Sequence, residues 1–328
     1  MKKLKFGIWR HEDSIGNSAE HTIGLAHYIK ANNIDPSDIE VYVEHEWQKD
    51  LALCIDGVND NNIKFFEKNI NHEIPKENSH INDIHMPSVY GFSLTYDCNW
   101  AYIEQQKHLN VTLNFDMDAY ENKFGLPKDA IVLFHREDGT WWKRIDGSRT
   151  EPERFVAPET FHKLAFHYAD LGYKVIKIGD KNQKGLAGGY IGSKFGAEHK
   201  HPNITDFTKY IDRSANPLWT FKDYLYILQN CKVFVSCDAG IWPMAAAMRR
   251  NLVFCNVVSA FYPFRAEAIS EKIQIKRMKP SIVDWMPEET TRVLYKKFDI
   301  KQDMRYITIE KIEDNSFEEI QEALESFL

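Results

Sequence analysis

Val233-Phe234-Val235-Ser236-Cys237-Asp238-Ala239-Gly240-Ile241-Trp242-Pro243-Met244-Ala245-Ala246-Ala247-Met248 carries the reading of the fold. Four residues of a β-rich apolar run, Val233–Ser236, predict a buried strand, because an alternating pattern would be expected if one face met water. Asp238-Ala239-Gly240 then turns the chain, and an alanine-rich helix over 243–248 follows with proline at its first turn. The next run, Leu252–Val258, predicts another strand. Strand, tight turn, helix and strand in that order form the unit of a parallel sheet covered by helices.

The same alternation extends in both directions. Upstream, Ala130–Phe134 and Tyr173–Ile178 read as strands, separated by a helix over 158–171 with Pro158 at its start and Gly172 just past its end. Thr220 and Asp223 have the spacing of a capping box and open a helix that runs to Asn230. In the first third, strands are expected at Leu4–Trp9, Ile39–Val43, Ile63–Phe66 and Val111–Phe115, with helices after Asn17 and over 47–54 and 98–109. Residues 67–90 show no period and read as a loop. The expected fold is therefore α/β, with two doubly wound, Rossmann-like domains over 1–125 and 126–310. An amphipathic helix ends the chain, with Phe317, Ile320, Leu324 and Phe327 on one side.

With 328 residues the chain is long enough for two domains, and 43% hydrophobic residues allow real cores. The net charge of −7 argues against a general nucleic-acid coat. It is unevenly divided: 11 Lys/Arg against 20 Asp/Glu over residues 1–125, and 30 against 28 beyond. An anion site is better sought in the second part. Five cysteines at 54, 98, 231, 237 and 255 have no CxxC spacing, so reduced thiols are expected. With no signal-peptide core and no run of about 20 apolar residues, the expected compartment is the cytoplasm, at most with peripheral association at the inner membrane face.

Ligands of open α/β sheets bind beyond the carboxyl ends of the strands, and unusual polar clusters fall there. After Phe134 come Arg136, Lys143, Arg144, Arg149 and Arg154, five cations in nineteen residues, with Trp141 and Trp142 among them. Forked guanidinium groups and a lysine suit a diphosphate, and the tryptophans can stack on a base or a sugar. A solvated charged loop is the competing reading. Asp238-Ala239-Gly240 can present free backbone N–H groups to an anion at a helix start; equally, Asp238 can cap that helix and the alanines be core.

Several of these pieces together resemble the nucleotide-sugar domain of GT-B glycosyltransferases, and are most similar to bacterial heptosyltransferase-type enzymes. They are Phe134-His135-Arg136, Lys143-Arg144, Ile176-Lys177-Ile178-Gly179-Asp180, Ile204-Thr205-Asp206-Phe207-Thr208 and Val235-Ser236-Cys237-Asp238-Ala239-Gly240. Ile8-Trp9-Arg10 with Ser14-Ile15-Gly16-Asn17 resembles the first strand and acceptor loop of that family. The resemblance implies two domains facing a cleft, with the final helix, 311–328, crossing back towards the first domain. It implies a nucleotide-diphosphate sugar as donor substrate, no cofactor or metal, a glycan or lipid-linked acceptor, and inverting transfer to a hydroxyl. It further implies donor or phosphate contacts at Arg136, Lys143, Arg144, Asp180, Asp238, Ala239 and Gly240, and acceptor or cleft positions at Arg10, His11, Gly16 and Asn17.

Two departures matter. The family pattern has Gly-Asp in the first loop, where this chain has Gly16-Asn17, and an amide cannot accept the proton. The His that usually follows the D-x-G turn is replaced by Pro243. Carboxylates able to serve as the base are Asp13, then Glu12 and Glu20, each of which can equally be a solvated acid or a helix cap. Asp116-Met117-Asp118 has the D-x-D spacing of metal-dependent transferases of another fold, and its position after a first-domain strand marks it as a chance match. An epimerase, a hydrolase or a fucosyltransferase-like enzyme on the same fold, and a non-catalytic nucleotide-sugar-binding subunit, are the other readings.

Overall fold

The computed structural model describes residues 3–8, 15–65, 84–85, 111–134, 158–179, 201–207, 220–237, 241–255, 273–275 and 316–328. They form two sheets, in which every pairing is parallel. Sheet one contains β1 (Leu4–Gly7), β2 (Ile39–Val43), β3 (Ile63–Phe65) and β4 (Ile84–His85), in the order β3-β2-β1-β4. Sheet two contains β5 (Ile131–Phe134), β6 (Val175–Ile178), β7 (Ile204–Asp206), β8 (Val233–Cys237), β9 (Asn251–Cys255) and β10 (Ile273–Ile275), in the order β10-β9-β8-β5-β6-β7. From β5 the chain winds outward through β6 to β7; from β8 it winds the other way to β10. Sheet two is doubly wound, as its apolar runs predict.

The helices are α1 (Ile15–Ala31), α2 (Glu46–Ala52), α3 (Pro158–Asp170), α4 (Phe221–Asn230), α5 (Trp242–Ala247) and α6 (Phe317–Glu325). Their ends follow local chemistry. Asn33, at φ 51°, takes the left-handed conformation just past α1, and Gly172, at φ 92°, does so after α3. Thr220 and Asp223 form the expected capping box on α4, and Ser316 and Glu319 form another on α6.

Strand alternation divides the side chains of sheet two between two cores. Val132, Phe134, Ile176, Ile178, Phe234 and Phe254 lie in one cluster with Phe6, Ile8 and Ile23 of the first part of the chain. Ile131, Leu133, Val175, Val233 and Val235 face the other way, against Phe161 and Leu164 of α3 and Ile320 and Leu324 of α6. The inner cluster is continuous from sheet one to sheet two. Between them α1 packs against α5, and every residue from Ser18 to His27 is buried. A helix buried on all sides in water must be enclosed on all sides by protein.

Four expectations change. Residues 111–115 form no strand: the Leu113 N–H donates to the Ala247 carbonyl and the Asn114 N–H to the Cys54 carbonyl, each at 3.0 Å. Isolated bonds to the end of one helix and to the turn after another provide no ladder, so this segment is a link that touches both halves. Within the stretch 67–90, Ile84–His85 pairs with Lys5–Phe6 as β4. Helix α5 is capped by Ile241 and has only six residues, all buried, so its alanines are core. Lastly, the resemblance has the closing helix crossing back towards the first domain, whereas among the described residues α6 docks on the outer face of sheet two. Ile320, Ala323 and Leu324 complete the outer core, Tyr168 Oη reaches the Gln321 carbonyl at 3.5 Å, and Lys232 Nζ reaches the Leu328 carbonyl at 3.3 Å. The outer face of sheet two offers the apolar area that this stripe needs.

Ala246 is fully buried on α5, the helix that packs against α1. Ala246→Leu is expected to cost about 1–3 kcal/mol in urea unfolding. The exposed Lys163→Ala change on α3 should stay within about 0.5 kcal/mol.

Candidate functional site

Parallel strands bring all their carboxyl ends to one edge, and a crevice opens where the winding direction reverses. Sheet two reverses between β5 and β8. Phe134 stands in register with Ser236 on one side and with Ile178 on the other. Adjacent strands are about 4.8 Å apart. The chain therefore leaves sheet two side by side at Phe134, Gly179 and Cys237, the points that lead into the basic stretch, Asp180 and the D-x-G sequence. Gly179 is buried and holds φ 145°, a conformation that side chains rarely adopt, so glycine is required at this strand end. Sheet one reverses between β1 and β4, and the chain leaving β1 there leads to Arg10, His11, Glu12 and Asp13.

Arg10, His11, Glu12, Asp13, Arg136, Lys143, Arg144, Asp180, Asp238, Ala239 and Gly240 lie outside the described residues. Gly16 and Asn17 lie within them, not in a loop but in the first turn of α1, whose start at Ile15 is packed onto the inner core. Glu20 falls in the second turn with only 6% of its surface exposed, unusually deep for a carboxylate. His21 and Thr22 beside it are buried as well. His27, a turn and a half further on, is held below the ordinary imidazole range by burial, with Lys30 adding to the effect.

The start of α1 is tied to the rest of this edge through Gln48, which spacing alone did not single out. This glutamine is 1% exposed. Its Oε1 accepts from the Glu44 and His45 N–H groups at 2.8 and 3.1 Å, and its Nε2 donates to Ser18 Oγ at 3.3 Å. Thr22 Oγ1 donates to the Ser18 carbonyl at 2.8 Å. One side chain thus joins the turn beyond β2 to the helix that follows β1. The visible signal was a glutamine three residues after His45, the position of a capping-box partner.

Two further polar groups in sheet two went unassigned. Ser236 is fully buried at the end of β8, on the face of Phe234. Lys177 is 2% exposed on β6, in register with Leu133 and Asp206. A lysine inside an apolar strand was legible in the sequence, but the depth of its burial was not.

The D-x-D match dissolves into local structure. Asp116 Oδ1 accepts from the Asp118 and Ala119 N–H groups at 3.0 and 3.3 Å, an Asx turn. Tyr120 then donates its hydroxyl to Asp223, whose carboxylate also accepts from the Thr220 N–H at 2.8 Å. Burial, followed by this bond, drives the Tyr120 hydroxyl pKa well above the usual phenol range. His201 accepts from the Asn203 N–H at 3.1 Å and meets Asp170 at 3.3 Å. Among the described residues, no three His, Cys, Asp or Glu side chains converge as a metal site, and no helix is long and apolar enough to cross a membrane.

No protein-family model matches the chain, and no curated protein does. Solved structures do. ADP-heptose LPS heptosyltransferase II of E. coli shares 16% identity over 85% of this chain and 81% of its own, with a TM-score of 0.37. A glycosyl transferase of family 9 from Veillonella parvula shares 13% over 97% and 79%, with a TM-score of 0.36. The E. coli heptosyltransferase WaaC with ADP shares 15% over 53% and 46%, with a TM-score of 0.29. These proteins belong to the class that the motifs resemble.

Gln48→Leu preserves volume but leaves the Glu44 and His45 N–H groups without their acceptor. A loss of about 1–3 kcal/mol is expected, with faster amide exchange at residues 44 and 45, measured by hydrogen exchange.

Proposed function

We propose that the protein is a glycosyltransferase that moves a sugar from a nucleotide-diphosphate donor to a hydroxyl of a glycan or lipid-linked acceptor. One observation supports this above the others: the five-cation stretch and the D-x-G sequence both begin at the β5–β8 reversal of sheet two, on neighbouring strands. Open α/β sheets bind ligands at that location, and this stretch has the charge that a diphosphate requires. The similarity of the motifs to heptosyltransferase-type enzymes agrees with it.

In this reading the donor belongs to 126–310 and the acceptor to 1–125, with a cleft between them. Arg136, Lys143 and Arg144 bind the diphosphate and stabilise the charge that grows on it as the glycosidic bond breaks. Asp238, Ala239 and Gly240 complete the phosphate side, with Asp180 nearby. Cationic side chains replace a metal. At the β1–β4 reversal a carboxylate takes the proton of the acceptor hydroxyl, and attack opposite the leaving group inverts the anomeric centre. Asp13 and Glu12 stand on the segment leaving β1; Glu20 enters from α1. Arg10, His11, Gly16 and Asn17 border the acceptor. The chemistry takes place in the cytoplasm, at the inner membrane face when the acceptor is lipid-linked.

Asn17, where the family pattern has a carboxylate, favours one second reading: a subunit that binds the nucleotide sugar without turning it over.

A nucleoside diphosphate or its sugar, among a panel covering the bases, should raise the melting temperature, since a ligand of the native state stabilises it. Arg136→Ala and Lys143→Ala should each weaken that ligand by about tenfold or more. Unchanged binding in both variants would overturn the donor assignment. With an acceptor in hand, one of Asp13→Asn, Glu12→Gln and Glu20→Gln should lower kcat by about 100-fold or more while donor binding persists. Tight donor binding with no turnover on any acceptor, indifferent to all three, would instead identify the binding subunit.

A further inference from the structure

The two halves meet along a second seam, where α2 packs against α4. Trp47 and Phe221 bring their rings to 5.9 Å across it. Three residues beyond Trp47, the Asp50 carboxylate points to Lys222 Nζ at 3.9 Å, and these side chains differ sharply in setting: Asp50 is 12% exposed and Lys222 45%. In the next turn the Cys54 carbonyl receives the Asn114 N–H, so the link between the halves is anchored at the same spot.

We propose that Asp50 and Lys222 form a pH-sensitive latch across this seam, an ion pair when the carboxyl is charged and a released lysine when it is neutral.

The geometry makes the pair asymmetric. Lys222 stands largely in water, 45% exposed. Asp50 has little water and must be held by its neighbours when ionised. Among the described residues these are Glu46 and Lys49 on its own helix, Asp60 in the turn that Lys49 binds at 2.6 Å, the buried Cys54 thiol, and Lys222 from α4. Burial is the largest influence and raises the carboxyl pKa to about 6 from an ordinary 3.8; Lys222 opposes it, and Glu46 adds to it. The folded state therefore holds the Asp50 proton more tightly than the unfolded chain. Stability from this group is greatest below pH 4, declines as pH rises towards 6, and is constant beyond. Lys222 matters only above that window, where it offsets part of the burial of a charged carboxylate.

The test compares wild type, Lys222→Met, Asp50→Asn and the double variant at pH 5 and pH 7.5, reading melting temperature and hydrogen exchange of the α2 and α4 amides. Lys222→Met should lower the melting point by about 2–4 °C at pH 7.5, speed exchange in both helices there, and change neither at pH 5. In the Asp50→Asn background the lysine substitution should have no effect at either pH. Carboxyl NMR should show Asp50 titrating near 6 in wild type and higher in Lys222→Met. An equal effect of Lys222→Met at both pH values, no effect at 7.5, or an Asp50 titration near 4 would overturn the latch.

Discussion

The close packing of α1 on α5 is the constraint on which the rest depends. Helix α1 carries Ser18, Glu20, His21, Thr22 and His27 yet is enclosed along most of its length. Those polar groups are tolerable only where partners come with burial, because an unsatisfied buried donor or acceptor costs about 1–3 kcal/mol. The small-residue helix α5 packs against α1, and its Ala245, Ala246 and Ala247 are fully buried in the cluster the two share. Sheet one, α1, α5 and sheet two consequently share a single apolar cluster, with the link at 111–115 bonded to both halves.

That arrangement gives the strand ends their relation. Parallel pairing aligns the edges, reversal of winding opens each crevice, and the α1–α5 contact holds the two sheets to each other. Gln48 acts at the same level, fastening the turn after β2 to the start of α1 with one buried amide. The proposed site is thus tied to edges and seams, and the stretches that carry its charged residues follow the strand ends in sequence.

Much of the architecture was legible because it rests on local rules. Continuous apolar runs marked β5, β6, β8 and β9, and the Thr220–Asp223 spacing marked a helix start. What escaped was decided by partners distant in sequence. Val111–Phe115 has the composition of a strand but finds isolated bonds, and Ile84–His85 has no pattern of its own yet pairs with β1. The amphipathic stripe of α6 was plain, but not the surface it would cover. For the site, residue types at strand ends could be read, while the burial of Glu20 and Lys177 could not, since exposure depends on what packs above a side chain.

By itself the sequence determined the class of fold, the alternation of strands and helices, and the concentration of cations after one strand, because periodicity, capping and composition act over a few residues. Tertiary structure alone decided which strands are neighbours, where each sheet reverses, and that the first helix is enclosed between the two halves. These depend on long-range pairing and on apolar surfaces finding one another. It also decided that a carboxylate on α2 would lose its water and meet a lysine on α4, two residues that nothing in the linear chain connects.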